Sequence, residues 1–215
     1  MKKNLTEIVF ILDRSGSMIN LVDDTIGGFN AMIEKQKQEP GEAYVSTVLF
    51  NHENQVVHDR VNVHKVQPMT RKDYVPAGCT ALLDAVGSAI HHIGNVHKYA
   101  REEDRPKKTM FVITTDGMEN ASRNFSYEKV KEMIGRQKEK YGWEFIFVGA
   151  NIDSAKEAAR FGIGEDRAAN YHADSVGTGV VYDAVCETVC DFRAAKPMSA
   201  GWKRKIDADF KKRKR

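Results

Sequence analysis

The sequence predicts an open, mostly parallel α/β sheet with helices on both faces and one antiparallel strand at an edge. Three observations predict it. Short apolar runs, at residues 8–12, 110–114 and 145–148, have the length and composition of strands buried on both faces. Segments with apolar residues spaced by three and four alternate with these runs, as helices crossing from strand to strand would. Two of the runs end in a carboxylate and a glycine, Asp13-Arg14-Ser15-Gly16-Ser17 and Thr115-Asp116-Gly117, as loops at one sheet edge do.

Each element follows in order. Ile8-Val9-Phe10-Ile11-Leu12 is the opening strand, with Asp13 at its exit. Val22, Ile26, Phe29, Met32 and Ile33 describe an amphipathic helix over 21–37, with Asp23 and Asp24 at the positive end of its dipole. After Glu39-Pro40-Gly41-Glu42, residues 43–50 read as a second strand; Asn51-His52-Glu53-Asn54 turns the chain, and 55–59 return antiparallel at the edge. Residues 61–74 read as an irregular connection. Thr80 is placed to cap a helix over 81–93 that turns Leu82, Leu83, Val86, Ile90 and Ile93 inward. The strand at 110–114 follows a polar link, then a helix over 125–140, a strand over 144–149, a short helix over 154–161, a strand over 167–172 and a final helix over 180–192.

Length and composition narrow the class. A chain of 215 residues can bury one sizeable core, and 41% apolar with 29% charged residues is the balance of a water-soluble globular protein. No apolar run approaches the roughly 20 residues that span a bilayer. The first residues, Met1-Lys2-Lys3-Asn4, show no secretory signal, and three cysteines give no paired disulfide framework. A reducing, cytoplasmic setting is expected. Residues 196–215 carry nine Lys or Arg against Asp207 and Asp209, a net +7, so the rest of this +3 chain is at −4. The expected organisation is one domain over 1–195 and a flexible basic tail over 196–215.

In extended backbone, side chains alternate, so Asp13, Ser15 and Ser17 are expected on one side with Arg14 and Gly16 facing away. One carboxylate and two hydroxyls suit a hard divalent ion such as Mg²⁺ or Mn²⁺ and suit zinc or copper poorly. Right-handed crossovers bring the loops after Asp13, before Thr80 and at Asp116 to the carboxyl ends of the strands, where strand order reverses and ligands bind.

Asp13-x-Ser15-x-Ser17, Thr80 in Ala77-Gly78-Cys79-Thr80-Ala81-Leu82, and Asp116 in Thr114-Thr115-Asp116-Gly117 together resemble the von Willebrand factor A domain and its metal-ion-dependent adhesion site. The resemblance covers about residues 5–192 and leaves the tail outside. It implies a three-layer, Rossmann-like α/β/α fold. It implies that Ser15, Ser17 and Thr80 coordinate Mg²⁺, or Mn²⁺, with Ca²⁺ less suited, and that Asp13 and Asp116 bind directly or through water. It also implies an open coordination position for an acidic side chain of a partner protein. The overall look is that of the small intracellular bacterial-type members of the family.

Several residues invite sharper roles and receive plainer ones. Asp84 is read as a first-turn dipole partner and Glu119 and Asn120 as solvated loop residues. Cys79 is read as a small buried apolar residue, and Cys186 with Cys190 as core packing. Asn51 and His52 fall at the same edge as the metal site. Lys203, Arg204, Lys205, Lys211, Lys212, Arg213, Lys214 and Arg215 offer phosphate contacts to a nucleic acid, but a solvated terminus is preferred.

Three function classes result. The first is a metal-dependent protein-binding module, monomeric on its own and not an enzyme. The second is a metal-assisted phosphoryl or ester hydrolase at the same crevice; an acid two residues after Asp13 would have favoured it, but Ser15 stands there, and neither a phosphate-cradling glycine loop nor a nucleophile elbow occurs. The third is a nucleic-acid-associated protein using the tail.

Overall fold

The computed structural model describes residues 5–213. A six-stranded sheet has the order β3-β2-β1-β4-β5-β6, built from β1 (Thr6–Asp13), β2 (Ala43–Phe50), β3 (Asn54–Asn62), β4 (Lys108–Thr115), β5 (Glu144–Ala150) and β6 (Ala168–Tyr171). All neighbours are parallel except β2 and β3, which pair antiparallel at the edge. The described helices are α1 (Val22–Gln38), α2 (Leu82–Tyr99), α3 (Tyr127–Tyr141), α4 (Ser154–Arg160), α5 (Ser175–Arg193) and α6 (Arg204–Lys212).

The two-residue period of the strands sorts the core into two layers. On β1, Ile8, Phe10 and Leu12 join Phe29 and Met32 of α1 and Val185 and Val189 of α5. Val9 and Ile11 face the other way, toward Leu82, Val86 and Ile90 of α2, Ile134 of α3 and Ala158 of α4. Every residue of β1 is buried, which explains its unbroken apolar reading. Burying a side chain of this size contributes about 1.5–3 kcal/mol, so the sheet's centre is its best-anchored part.

That centre is where the order reverses. β1 continues through α1 to β2 on one side, whereas β4 continues through α3 to β5 on the other. Leu12 lies beside Thr114 in the β1–β4 register, so both strands end level and their loops open onto one crevice.

Several boundaries differ from the sequence expectations, each for a local reason. A 3₁₀ turn over Gly16–Leu21 precedes α1, so Ser17 is not in extended backbone and strand alternation does not set its direction. Thr80 is not the cap of α2: the helix begins at Leu82, because the Thr80 N–H donates to Asn120 Oδ1 and the Ala81 N–H donates to the Asn51 carbonyl. The irregular connection buries Val63, Val66, Met69 and Tyr74 in the α1 layer. The helix expected to begin at 180 starts at Ser175, where Asp174 caps it by accepting from the Gly177 N–H at 2.8 Å.

The largest difference is at the basic tail. Residues 204–212 form α6 rather than a flexible terminus, with Ile206 buried in the α1–α5 layer and Phe210 stacked on His172 at 4.6 Å. Met1 to Asn4, Lys214 and Arg215 lie outside the described residues. No helix among the described residues is long and apolar enough to cross a membrane.

Candidate metal site

Three loops meet at the carboxyl ends of β1 and β4, and backbone bonds lock them together. The Gly16 N–H donates to the Gly78 carbonyl at 3.1 Å, and the Ala77 N–H to the Arg14 carbonyl at 3.0 Å. The Asn120 N–H donates to the Thr80 carbonyl at 3.0 Å, completing a two-bond clasp with the Asn120 side chain. The loop before α2 is thereby held against the loop after β1 and the loop after β4.

Asp13 is buried and organises the crevice. Its Oδ1 accepts from the Ser15 N–H at 2.7 Å, and its Oδ2 accepts from the Thr115 hydroxyl at 2.8 Å and the Asp116 N–H at 3.1 Å. Tyr74, also buried, donates its hydroxyl to the Asp13 carbonyl. The buried Ser15 has its Oγ 3.2 Å from Ser17 Oγ, and Ser17 Oγ lies 3.5 Å from the Asp116 carbonyl. Thr80 Oγ1 lies 3.7 Å from where a side chain on Gly117 would begin, which puts this hydroxyl beside the Asp116 loop. Asp116 accepts at Oδ1 from the Asn151 side-chain amide.

The electrostatics follow from burial. Burial pushes the Asp116 carboxyl above its ordinary value, and the Asp13 charge adds to that push, against hydrogen bonds from Ser17 and Asn151. Asp13, Ser15, Ser17 and Asp116 are thus linked by hydrogen bonds, with the Thr80 hydroxyl beside the Asp116 loop, and oxygen groups of this kind are those that suit a hard divalent cation. Among the described residues, no three His, Cys, Asp or Glu side chains group as a metal site, so a zinc-type cluster is absent there.

The neighbours of the site correct several expectations. Asp84 does not simply face the helix dipole: it is buried and accepts from the N–H groups of Arg123, Asn124 and Phe125, each at 2.9 Å. Glu119 accepts from the N–H groups of Ala121, Ser122 and Leu83, so it shapes the loop after β4 rather than pointing to solvent. Cys79 is exposed, not buried. His52 does lie at the site edge, against Gly78.

Thr115, Asn151 and Tyr74 went unnoticed in the sequence. Asn151 directly follows β5 in a left-handed conformation, φ 57°, that Asn tolerates better than most residues. Tyr74, sixty-one positions from Asp13, had no local signal.

The basic segment uses much of its charge internally. Lys196 pairs with Asp191, Lys205 with Glu187, and Arg213 with Asp174 and Asp209. Lys203 donates to the carbonyls of Glu165 and Ala168. These contacts leave fewer cations for a phosphate backbone than the sequence count suggests.

No protein-family model and no curated protein matches this sequence. Solved structures do. A von Willebrand factor type A structure from Catenulispora acidiphila superposes with TM-score 0.57 at 13% identity, over 86% of this chain and 42% of that one. The fold is that of a von Willebrand factor A domain. Proximal thread matrix protein 1 from the mussel byssus, a structure with a zinc-occupied MIDAS motif, matches with TM-score 0.59 and 15% identity over 87% of this chain and 46% of its own. Manganese-loaded TRAP from Plasmodium vivax matches with TM-score 0.55 and 15% identity over 82% and 72%. The chain spans less than half the length of the mussel and Catenulispora chains, and at these identities the likeness is one of fold. The von Willebrand factor A fold agrees with the three-layer expectation, including its antiparallel edge.

Proposed function

We propose that Asp13, Ser15, Ser17, Thr80 and Asp116 hold a Mg²⁺-type ion and that the protein is a metal-dependent protein-binding module. The observation that supports this reading is the convergence of these residues' loops at the β1–β4 switch point, where backbone and side-chain hydrogen bonds tie them together. Ser15, Ser17 and Thr80 would supply hydroxyl ligands, and Asp116 its second carboxylate oxygen. Asp13, whose oxygens accept three protein donors, acts chiefly by positioning the Ser15 and Asp116 backbones. When bound, the ion supplies an electrophilic position that a partner's carboxylate can fill.

A non-enzymatic role suits the hydroxyls' surroundings. Ser15 Oγ contacts Ser17 Oγ, Ser17 Oγ contacts the Asp116 carbonyl, and among the described residues no His is hydrogen-bonded to either hydroxyl as a general base would be. The mussel and Plasmodium neighbours carry zinc and manganese, which supports a divalent ion in this fold. Mg²⁺ is the choice of the oxygen-only donors. The binding unit is the body up to residue 195, with α6 packed on it. Three free cysteines agree with a reducing, cytoplasmic setting.

The test is a pull-down from the native cells in Mg²⁺ and again in EDTA, with Ser17→Ala and Thr80→Ala alongside the wild type. A partner captured only in Mg²⁺ and lost in both variants supports the reading. Capture indifferent to EDTA and to both substitutions overturns it.

A further inference from the structure

A second cluster of chemistry-bearing side chains lies at the other end of the sheet. α1 and α5 pack side by side, and near their C-terminal ends Gln36 of α1 turns its side-chain amide toward two cysteines of α5. Gln36 Nε2 donates to Cys190 Sγ at 3.1 Å and to Cys186 Sγ at 3.7 Å, and also to the Cys186 carbonyl at 3.2 Å. Both thiols are thus gathered on one nitrogen, and they interact with each other. The place is remote from the crevice: Lys108, at the start of β4, donates to the carbonyls of Phe192 and Arg193 just beyond the pair. Gln36 is fully buried and its orientation is fixed, because Arg193 donates to its side-chain oxygen at 3.0 Å and to its backbone carbonyl. Arg193, itself buried, is held in turn by the carbonyls of Glu39 and Gly41. Cys186 is buried, whereas Cys190 is half-buried and open to solvent on one side.

We propose that Cys186 and Cys190 form a two-thiolate site for a soft monovalent metal ion of the Cu⁺ class, separate from the oxygen-lined crevice. Thiolate sulfur favours soft ions. Zinc takes a fuller ligand set, and among the described residues no three His, Cys, Asp or Glu side chains group as a metal site. The Gln36 amide does not complete one either, since it presents its N–H donors to the sulfurs while its oxygen is engaged by Arg193. A disulfide is the poorer use of the pair: residues four apart on a helix have Cβ atoms about 5–6 Å apart, whereas a disulfide needs roughly 3.5–4.5 Å. An ion between the sulfurs spans the wider gap without bending α5. Binding balances as two S–H groups plus Cu⁺ giving a bis-thiolate copper anion of charge −1, with two protons released to solvent. The surroundings suit that anion. Gln36 donates to both sulfurs, and the charges of Arg193 and Lys35 act on Cys190 and Cys186. Against them stand the carboxylates of Glu39, beside Cys190, and Asp183, toward Cys186. Arg193 is already fixed by its carbonyl partners, so the compensating cation is in place before an ion arrives.

The experiment uses the full chain carrying Cys79→Ser, which removes the exposed thiol that would bridge two chains. The protein is kept anaerobic, with Mg²⁺ in excess to occupy the oxygen-lined crevice. Cu⁺ is titrated in against a chromogenic Cu⁺ chelator, and the copper-to-protein ratio, the thiolate-to-copper charge-transfer band and the thermal midpoint are read. The expected result is one Cu⁺ per chain withheld from the chelator, with the charge-transfer band and a raised midpoint. Cys190→Ala and Cys186→Ala should each weaken retention by more than about a hundredfold, beyond what losing a hydrogen bond to a ligand costs, and should abolish the rise in midpoint. If the buried Cys186→Ala does not fold, Cys190→Ala, at the half-buried position, decides. Retention at the parent level in Cys190→Ala overturns the proposal. So does one ion shared by two chains, failure of the parent to withhold Cu⁺ from the chelator, or displacement of Cu⁺ by an equal concentration of Zn²⁺.

Discussion

Oδ2 of Asp13 accepts the backbone N–H of Asp116 at 3.1 Å, joining the ends of β1 and β4 across 103 positions of sequence. The same oxygen accepts the Thr115 hydroxyl, and Oδ1 accepts the Ser15 N–H. One side chain thus closes the switch-point crevice from three directions, which makes Asp13 a structural residue as well as a candidate ligand.

Asp13→Ala should therefore destabilise the fold by about 2–4 kcal/mol, because it strands three donors in a buried place. Ser17→Ala should change stability by no more than about 0.5 kcal/mol. Urea denaturation of both variants checks this. If the Asp13 variant unfolds at the wild-type midpoint, its carboxylate is not the clamp described, and if it is weakened as expected, Ser17→Ala is the cleaner probe of metal binding.

Gly78 carries φ +71°, and a Cβ on it would meet His52 Nδ1 at 2.2 Å. Gly78→Ala should cost about 1–2 kcal/mol from the backbone alone. Removing the clash with His52→Ala in the same chain should recover only part of the loss, since the left-handed backbone remains. Full recovery in the double variant would locate the whole effect in the side-chain clash.

His58 is buried between β2 and the loop before α2, with Nδ1 3.1 Å from Thr47 Oγ1 and Nε2 3.1 Å from the Gln67 carbonyl. A carbonyl only accepts, so Nε2 carries the proton of the neutral ring. Burial lowers its pKa below the ordinary 6.5, against the Gln67 carbonyl and the charge of Asp73. The unfolded chain therefore binds the proton more readily, and the stabilisation present above pH 6.5 is lost as pH falls through the folded-state value. Denaturation midpoints measured from pH 8 to pH 5 should fall less for His58→Gln than for wild type.

Ile206 anchors α6 in the α1–α5 layer. Ile206→Asp should unseat the helix, lower stability by about 2–4 kcal/mol, and open the segment to limited proteolysis at its many Lys and Arg. A cleavage pattern identical to wild type would show that the helix holds by its ion pairs alone.

The sequence made the strands legible because a sheet buried on both faces demands unbroken apolar runs, and β2 was bounded at 43–50 as observed. Helix ends were less legible. α2 runs to Tyr99 and starts after Thr80 because Asn120 and Asn51 bind the backbone there, and those partners are distant in sequence. Around α6, Trp202 in the preceding turn and Ile206 and Phe210 in the helix recur every four residues, a helical spacing that the surrounding charges hid.

What the sequence determined by itself was the order of strands and helices, hence a parallel sheet, and the oxygen-rich motif residues at strand ends. Periodicity and residue chemistry are local, and they suffice for that. Only the tertiary structure decided how those residues are held: Asp13 spent on three donors, Asp84 and Glu119 turned inward to shape a loop, Tyr74 and Asn151 recruited from elsewhere, and the basic segment folded onto the body. These outcomes depend on which buried donors lack a partner once the chain closes. That is a property of the packed molecule, set by contacts between positions that no local pattern connects.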